Sequence, residues 1–330
     1  MKRVLVTGAS GQDGQILSYK LARRDYDVIG LGRKRPVFDP LVKENNFKFI
    51  EIDLTNFFEL EVLLDQYRPD LVFNFASLSS VKESWIYPEV NFRINQELPI
   101  FILKWIAKHA PGTKFIQASS SEIFGGSSKS PQTESTKLAP ITPYGTAKAN
   151  AHEYVMNSRS HGIVASSAIL YNHESPLRGP SFITRKISHI ASKHKLGESI
   201  TQIQIGNPNA TRDWGWAPDY VDAMMRMMDA MESDFRGFEY VISTGIQHSV
   251  MDLMSVAFEY VGFRGWEEFL IQNSEEIRKV DPNSLLGDSG KILRELGWSP
   301  KVDFNKIIGI LIDSEICGMT GKTNNDWVNT

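Results

Sequence analysis

Four residues of this 330-residue chain could carry chemistry together: Ser120, Glu122, Tyr144 and Lys148. Tyr144-Gly145-Thr146-Ala147-Lys148 is a Tyr-x-x-x-Lys pair one helical turn apart, so both side chains share a helix face. A tyrosine ordinarily titrates near pH ~10 and must be acidified to act as a base at neutral pH. A nearby ammonium would do that. Ser120 can hydrogen-bond the hydroxyl that Tyr144 deprotonates. A carboxylate such as Glu122 has no job in simple hydride transfer. It has one in elimination, as a base toward a carbon acid and then as an acid toward a leaving hydroxyl. The plainer alternatives are a chance Tyr-x-x-x-Lys and a surface loop acid. The run Ser119-Ser120-Ser121 at the end of a predicted strand argues against both.

The elements that must position these groups alternate between strand and helix patterns, which points to a parallel sheet covered by helices. Strands are predicted at Arg3–Thr7, Asp27–Leu31, Phe47–Glu51, Asp70–Phe75, Lys114–Ala118, Ile163–Leu170 and Phe238–Ser243. Helices are predicted at Gln15–Arg24, Asn56–Tyr67, Leu98–His109, Tyr144–Ser160 and Val250–Val261. The Ser-, Gly- and Pro-rich loop from Ser119 to Pro143 is long enough to read as functional. Beyond Asn172 the pattern is less regular, with Pro176, Pro180, Pro208 and Pro218, and a second, smaller lobe is expected to begin there. The polar tail after Met319 is expected to fray.

Thr7-Gly8-Ala9-Ser10-Gly11-Gln12-Asp13-Gly14 follows the first strand and opens a helix. Glycines Gly8, Gly11 and Gly14 allow a tight turn and let backbone amides approach a pyrophosphate at a helix N-terminus. The strand-turn-helix context makes this a dinucleotide site rather than an ordinary glycine turn. A bound nicotinamide ring, positively charged, would further acidify Tyr144. At the end of the second strand, NAD readers usually carry an acid for the ribose 2′-hydroxyl. Arg33, Lys34 and Arg35 stand there instead, and they suit a 2′-phosphate. NADP is therefore the expected cofactor, with Asp53 and Leu54 where the adenine should lie. The alternative is a solvated basic loop.

A net charge of −3 gives no general attraction to nucleic acid or anionic membrane, so phosphate binding must come from local basic residues. No apolar run approaches the roughly 18 residues needed to cross a bilayer. Cys317 is the single cysteine, which excludes an intramolecular disulfide and suits a reducing compartment. No leader pattern is visible at the N-terminus, and a cytoplasmic protein is expected. No metal-ligand set is read.

Taken together, these residues resemble GDP-mannose 4,6-dehydratases over nearly the whole chain. Gly8 to Gly14 looks like the family's Gly-x-x-Gly-Gln-Asp-Gly turn. Gln117-Ala118-Ser119-Ser120-Ser121-Glu122 is similar to its Gln-Ala-Ser-Thr-Ser-Glu segment, with Ser120 in place of threonine. Asn172-His173-Glu174-Ser175-Pro176, Phe182 to Ile187, Arg212-Asp213-Trp214-Gly215 and Asp219-Tyr220-Val221 match more specific stretches. The resemblance implies an α/β, Rossmann-type doubly wound parallel sheet with a smaller C-terminal substrate-binding lobe. It suggests residues 1–171 plus about 212–246 for the NADP domain and about 172–211 plus 247–330 for the nucleotide-sugar lobe.

It also implies roles. Asn172 and Arg278 would hold the substrate diphosphate, Arg212 the nucleotide ribose or phosphate, and Lys186 the guanine nucleotide. His173 and Arg178 would lie against the cofactor, as would Phe75, Ala76 and Ser77. The chain departs from the family at Phe75 to Val81, where an Ala-Gln-Ser-His-Val run is usual. It departs again at Leu177, which replaces an arginine, at Lys279, which replaces a proline, and at Asp281, which replaces a glutamate. The connection from Arg33 to Asp53 is short. In the family that loop helps build a tetramer, so a homodimer is expected here, with a homotetramer as the alternative.

The expected reaction is NADP-dependent dehydration of a GDP-linked hexose, most simply GDP-mannose, to the GDP-4-keto-6-deoxy sugar. A GDP-manno-heptose is the alternative substrate. A related nucleotide-sugar reductase or epimerase would not need Glu122. A non-catalytic NADP-binding regulator would have no need to keep both Tyr144 and Lys148.

Overall fold

In the computed structural model, which describes residues 1–232, 239–273, 279–281 and 284–330, the chain winds twice around one parallel sheet. Its strands are β1 (Arg3–Thr7), β2 (Asp27–Gly32), β3 (Phe47–Glu51), β4 (Leu71–Asn74), β5 (Lys114–Ser120), β6 (Ala165–Leu170) and β7 (Glu239–Ile242), in spatial order β7-β6-β5-β4-β1-β2-β3. The helices that position the site are α1 (Gln12–Ala22), α2 (Phe57–Tyr67), α3 (Leu98–His109), α4 (Pro143–Ser158), α5 (Ile183–Lys195), α6 (Ala217–Glu232), α7 (Val250–Val261) and α8 (Phe304–Met319).

Alternate side chains of β1 explain why both faces are covered. Val4 and Val6 pack with Ile16, Leu17 and Leu21 of α1, whereas Leu5 packs with Leu60 and Leu64 of α2 and with Ile102 and Ile106 of α3. A strand buried on both faces reads as a continuous apolar run, as Val4-Leu5-Val6 does. The strand order reverses between β1 and β4, and the carboxyl ends at such a switch point form a crevice.

Beyond β6, α5, α7 and α8 pack together through Ile187, Ala191, Leu253, Phe258, Ile307 and Leu311. Arg185 of α5 is ion-paired with Glu315 of α8. This part of the chain is thus more helical than its prolines suggest. Pro176 and Pro180 fall in the loop before α5, and Pro218 stands in the first turn of α6, where a missing N–H costs little.

Three differences from the sequence reading bear on the site. α1 begins at Gln12 rather than Gln15, so the helix starts inside the glycine turn. β5 runs through Ser120, so Ser119 and Ser120 are strand residues rather than loop. The tail does not fray: Trp327 and Val328 are buried, Trp327 packs against Phe38 at 5.5 Å and Trp216 at 6.0 Å, and the Trp216 indole N–H donates to Thr330 Oγ1. Two apolar side chains in a polar run are enough to pull the end of the chain onto the core. Among the described residues, no helix is long and apolar enough to cross a membrane.

Candidate functional site

The turn after β1 is shaped for close approach. Gly8 has φ +68°, and a Cβ there would lie 2.7 Å from the Ala76 nitrogen, while a Cβ on Gly14 would lie 2.3 Å from the Gly8 oxygen. The N-cap of α1 is Gly11, with no capping side chain, so the first-turn amides face the crevice. This cradle fits a dinucleotide pyrophosphate. Behind it, Thr7 Oγ1 donates to Asn74 Oδ1 at 2.6 Å, Asn74 Nδ2 to Gln117 Oε1 at 2.9 Å, and Gln117 Nε2 to the Ala118 carbonyl at 2.8 Å. These buried amides lock the ends of β1, β4 and β5 in one register.

α4 enters the same crevice under a cap: Thr142 Oγ1 accepts from the Gly145 N–H at 2.9 Å. A Cβ on Gly145 would meet the Glu122 carbonyl at 2.6 Å, so glycine lets α4 press against the short turn Ser121–Phe124. Ser120 caps that turn by accepting from the Glu122 N–H at 3.3 Å. In this way Ser120 of β5, Glu122 of the short turn, and Tyr144 and Lys148 of α4 line one cleft.

The electrostatics differ from what the Tyr-x-x-x-Lys spacing suggests. Lys148 Nζ donates to the Ala118 carbonyl at 3.0 Å and lies 5.8 Å from the Tyr144 ring centroid. Burial pushes the Tyr144 phenol up, hydrogen bonds with Ser120 and Ser77 oppose this, and Glu122 adds to the rise. Burial also lowers Lys148 to about 8, against the pull of Asp13. The protein by itself therefore keeps the phenol neutral, and the ammonium is the group poised near physiological pH.

A buried chain supports this face from behind. Ser77 Oγ donates to Asn95 Oδ1 at 2.7 Å, Asn95 Nδ2 to Asn91 Oδ1 at 2.8 Å, and Asn91 Nδ2 to the Pro143 carbonyl at 2.9 Å. Asn95 sits in a π-helical turn, Arg93–Glu97, that leads into α3; such turns recur at functional sites. The sequence reading missed Asn91 and Asn95, because one asparagine in a helical stretch carries no visible signal.

On the opposite wall, His173 Nε2 lies 2.9 Å from Asp13, and Gln12 Nε2 donates to the His173 carbonyl at 3.1 Å. Ser175 Oγ donates to Gln12 Oε1 at 2.8 Å. The short strand Asn172–Glu174 is thereby stitched to the first turn of α1. Arg178 stands over the Phe182 ring at 3.7 Å and pairs with Glu174 at 3.4 Å.

Of the residues singled out from the sequence, Gly8, Gly11, Gln12, Asp13, Gly14, Phe75, Ser77, Asn172, His173 and Arg178 line the cleft with the four catalytic candidates. Ala76 lies directly behind Gly8. Arg33 and Lys34 are exposed at the end of β2 and Asp53 is exposed after β3, whereas Leu54 is buried. The charge of Arg33 reaches the Asp53 carboxyl, which Thr55 holds down by hydrogen bonds from its backbone and side chain.

Lys186 in α5 and Arg212 are not part of the cleft lining, and Arg212 is ion-paired with Asp281. Arg278 lies outside the described residues. Ser10, inside the glycine turn, packs against the end of β2: a Cβ on Gly32 would come within 2.8 Å of its hydroxyl.

Two signature stretches turn out to be structural clamps. Asp213 accepts from the Thr244 and Gly245 amides, each at 2.9 Å, and Asp219 accepts from the Lys301 amide at 2.8 Å.

With this geometry in hand, likeness to known proteins is informative. The family model described as GDP-mannose 4,6 dehydratase matches residues 5–311. GDP-mannose 4,6 dehydratase 1 of Arabidopsis thaliana is 36% identical, covering 96% of this chain and 90% of the relative. The Homo sapiens GDP-mannose 4,6 dehydratase is 32% identical, covering 94% and 91%. Among solved structures, a UDP-glucose 4-epimerase from Thermotoga maritima with UDP-glucose superposes with TM-score 0.82 at 24% identity, covering 97% of this chain and all (100%) of that one. A dTDP-glucose 4,6-dehydratase from Bacillus anthracis in complex with NAD gives 0.79 at 18% identity, covering 95% and 96%. These two structures establish the Rossmann-type fold alone.

Proposed function

This chain belongs to the GDP-mannose 4,6-dehydratase family, hence to the hydro-lyases that carry out nucleotide-sugar 4,6-dehydration, and from that premise we propose that its substrate is GDP-mannose and its cofactor NADP. The observation that carries the reading is the meeting of Ser120, Glu122, Tyr144 and Lys148 beside the glycine cradle. A reductase or epimerase needs the tyrosine and lysine. Only dehydration gives Glu122 work.

A dinucleotide held at Gly8, Gly11 and Gly14 would supply the hydride chemistry, as acceptor for oxidation at sugar C4 and donor for reduction at C6. Tyr144 takes the 4-hydroxyl proton at its phenolic oxygen, while Ser120 orients that hydroxyl. Lys148 places a positive charge on the same helix face, and it is this charge together with that of a bound nicotinamide ring that would favour the phenolate, which the protein by itself does not sustain. With C4 at the ketone level, the C5 proton becomes acidic. The Glu122 carboxylate removes it and then passes a proton to the departing 6-hydroxyl, which leaves as water. The proton taken up by Tyr144 balances the one C5 must regain.

The NADP preference rests on Arg33 and Lys34, exposed at the end of β2, where a 2′-phosphate would find two cations and no acidic residue of that strand end. Asn172 is proposed for the substrate diphosphate, Arg212 for the nucleotide ribose or phosphate, and Lys186 for the guanine nucleotide. A GDP-manno-heptose is the second reading, favoured by the departure from the family pattern at Phe75 to Val81, of which Phe75, Ser77, Ser79 and Val81 line the cleft. We place the molecule in a homodimer, for which the exposed apolar side chains Ile86, Tyr87 and Val90 provide a contact face.

The deciding experiment is turnover of a panel of GDP- and other nucleotide-sugars with NADP or NAD, followed by mass spectrometry. Loss of water with no net change in cofactor redox state is expected with GDP-mannose and NADP. Net consumption of reduced cofactor would identify a reductase instead.

A further inference from the structure

The hydrogen bonding of His173 fixes its charge. Nδ1 lies 2.7 Å from the Tyr171 carbonyl oxygen, and Nε2 lies 3.0 and 2.9 Å from the two oxygens of Asp13. A carbonyl can only accept, and so can an ionised carboxylate. A neutral ring has one N–H and would aim a lone pair at one of these acceptors. Both contacts are hydrogen bonds only if the ring is an imidazolium. Asp13 is the residue to be ionised, because it stands in the first turn of α1, where the helix dipole favours an anion, and Gln12 Nε2 donates to it at 3.3 Å.

The charged surroundings show why this proton matters. From α1 the ring meets Asp13. From the segment beyond its own strand come Glu174 and Arg178, which are occupied with each other at 3.4 Å. From α6, Tyr220 stacks on it at 4.7 Å, and from α4 the ammonium of Lys148 is within reach of Asp13. Without the proton on His173, the Asp13 carboxylate loses its hydrogen-bonded counter-charge in the turn where a pyrophosphate must come to rest, with Arg178 and Lys148 still acting on it.

We infer that His173 is a positioning residue that works as an imidazolium, cancelling Asp13 at the phosphate turn, so that dinucleotide binding depends on the proton His173 holds; this rests on the cofactor reading above. The balance of forces agrees. Burial lowers His173, but the charge and hydrogen bonds of Asp13 outweigh it and hold the ring above its ordinary 6.5. Burial raises Asp13, yet His173 and Arg178 keep its carboxyl below its ordinary 3.8. The favourable charge is complete below pH 6.5 and is lost as pH rises through the raised value.

Two measurements on the 330-residue chain test this. Nitrogen-15 NMR of the free protein at pH 6.5 should show both His173 ring nitrogens protonated, with no variant needed. Dissociation constants for NADP and NAD should be measured by titration from pH 6.5 to 9, NAD serving as the dinucleotide without a titrating 2′-phosphate. For the parent, Kd should rise about tenfold per pH unit once His173 deprotonates. Asp13→Asn should flatten that dependence. His173→Gln should weaken binding at pH 6.5 and also flatten it, and the double variant should bind more tightly than His173→Gln alone.

A singly protonated ring at pH 6.5, a pH-independent parental Kd, or a dependence as steep in His173→Gln and Asp13→Asn as in the parent would overturn the inference; the titration of Lys148 near 8 is common to all the variants and sets the baseline. Pyrophosphate is common to both dinucleotides. Proton-linked binding of NAD without binding of NADP would therefore sink the cofactor preference and leave this inference standing. NADP binding without proton linkage would do the reverse, and binding of neither would overturn both.

Discussion

The ammonium of Lys148 is hydrogen-bonded to the Ala118 carbonyl at 3.0 Å, at the end of the strand that also carries Ser120. The lysine is thus anchored to β5 before any ligand arrives. Lys148→Met leaves that carbonyl without its Lys148 donor and removes the ammonium from the catalytic helix face. Turnover should fall by about 100-fold or more, the range for loss of an acid–base partner. The protein should still melt cooperatively, because removing a buried charge whose titration is already lowered to about 8 relieves desolvation. Steady-state kcat and a thermal melt are the two checks.

Glu122→Gln keeps the shape of the turn that Ser120 caps and removes the base. Oxidation at C4 should proceed and elimination should stall. Rapid-mixing absorbance should then show reduced cofactor accumulating in one burst, with water loss slowed by about 100-fold. Water loss at the parental rate would assign the C5 proton to another group.

Gly14→Ala tests the cradle. Its methyl would meet the Gly8 oxygen at 2.3 Å and the Ala9 Cα at 2.7 Å, both backbone atoms that cannot swing away. Dinucleotide affinity should drop by at least about tenfold, with a loss of stability of roughly 1–3 kcal/mol from overpacking. Isothermal titration and chemical denaturation measure the two effects.

His152 follows Tyr144 and Lys148 at four-residue spacing, and its Nδ1 lies 2.9 Å from Ser167 Oγ on β6. Burial lowers it from 6.5 to about 4, against the pull of Glu239. The unfolded chain therefore binds a proton between pH 6.5 and 4 that the folded chain refuses. Stability falls as pH falls through that window, by roughly 3 kcal/mol. His152→Gln should flatten the acid limb of a melting-temperature profile, and an unchanged limb would place the acid sensitivity elsewhere.

Trp327 is the anchor of the C-terminal segment. It closes on Phe38, whose amide donates to Gln15 Oε1 at 2.8 Å and so ties α1 to the loop that follows Arg33 and Lys34. Trp327→Ala should cost about 3–5 kcal/mol as a buried aromatic deletion. It should also weaken NADP more than NAD, because the basic loop loses its brace. Denaturant midpoints and the ratio of the two dissociation constants check this.

What the residues determined by themselves is local. The apolar run of β1, the glycine spacing from Gly8 to Gly14 and the four-residue step from Tyr144 to Lys148 each depend on a few neighbouring side chains and backbone angles. They were legible because helix and strand periods are short-range properties, and the doubly wound sheet follows from their alternation. Only the tertiary structure decided the rest. His173 meets Asp13 across 160 positions, Arg212 pairs with Asp281 across 69, and Trp327 finds Phe38 and Trp216. The lysine's turn toward Ala118 rather than Tyr144 belongs to the same class. Such contacts depend on which surfaces are left facing one another after the sheet has assembled, and on how burial reweights each charge there. Spacing along the chain carries no record of either.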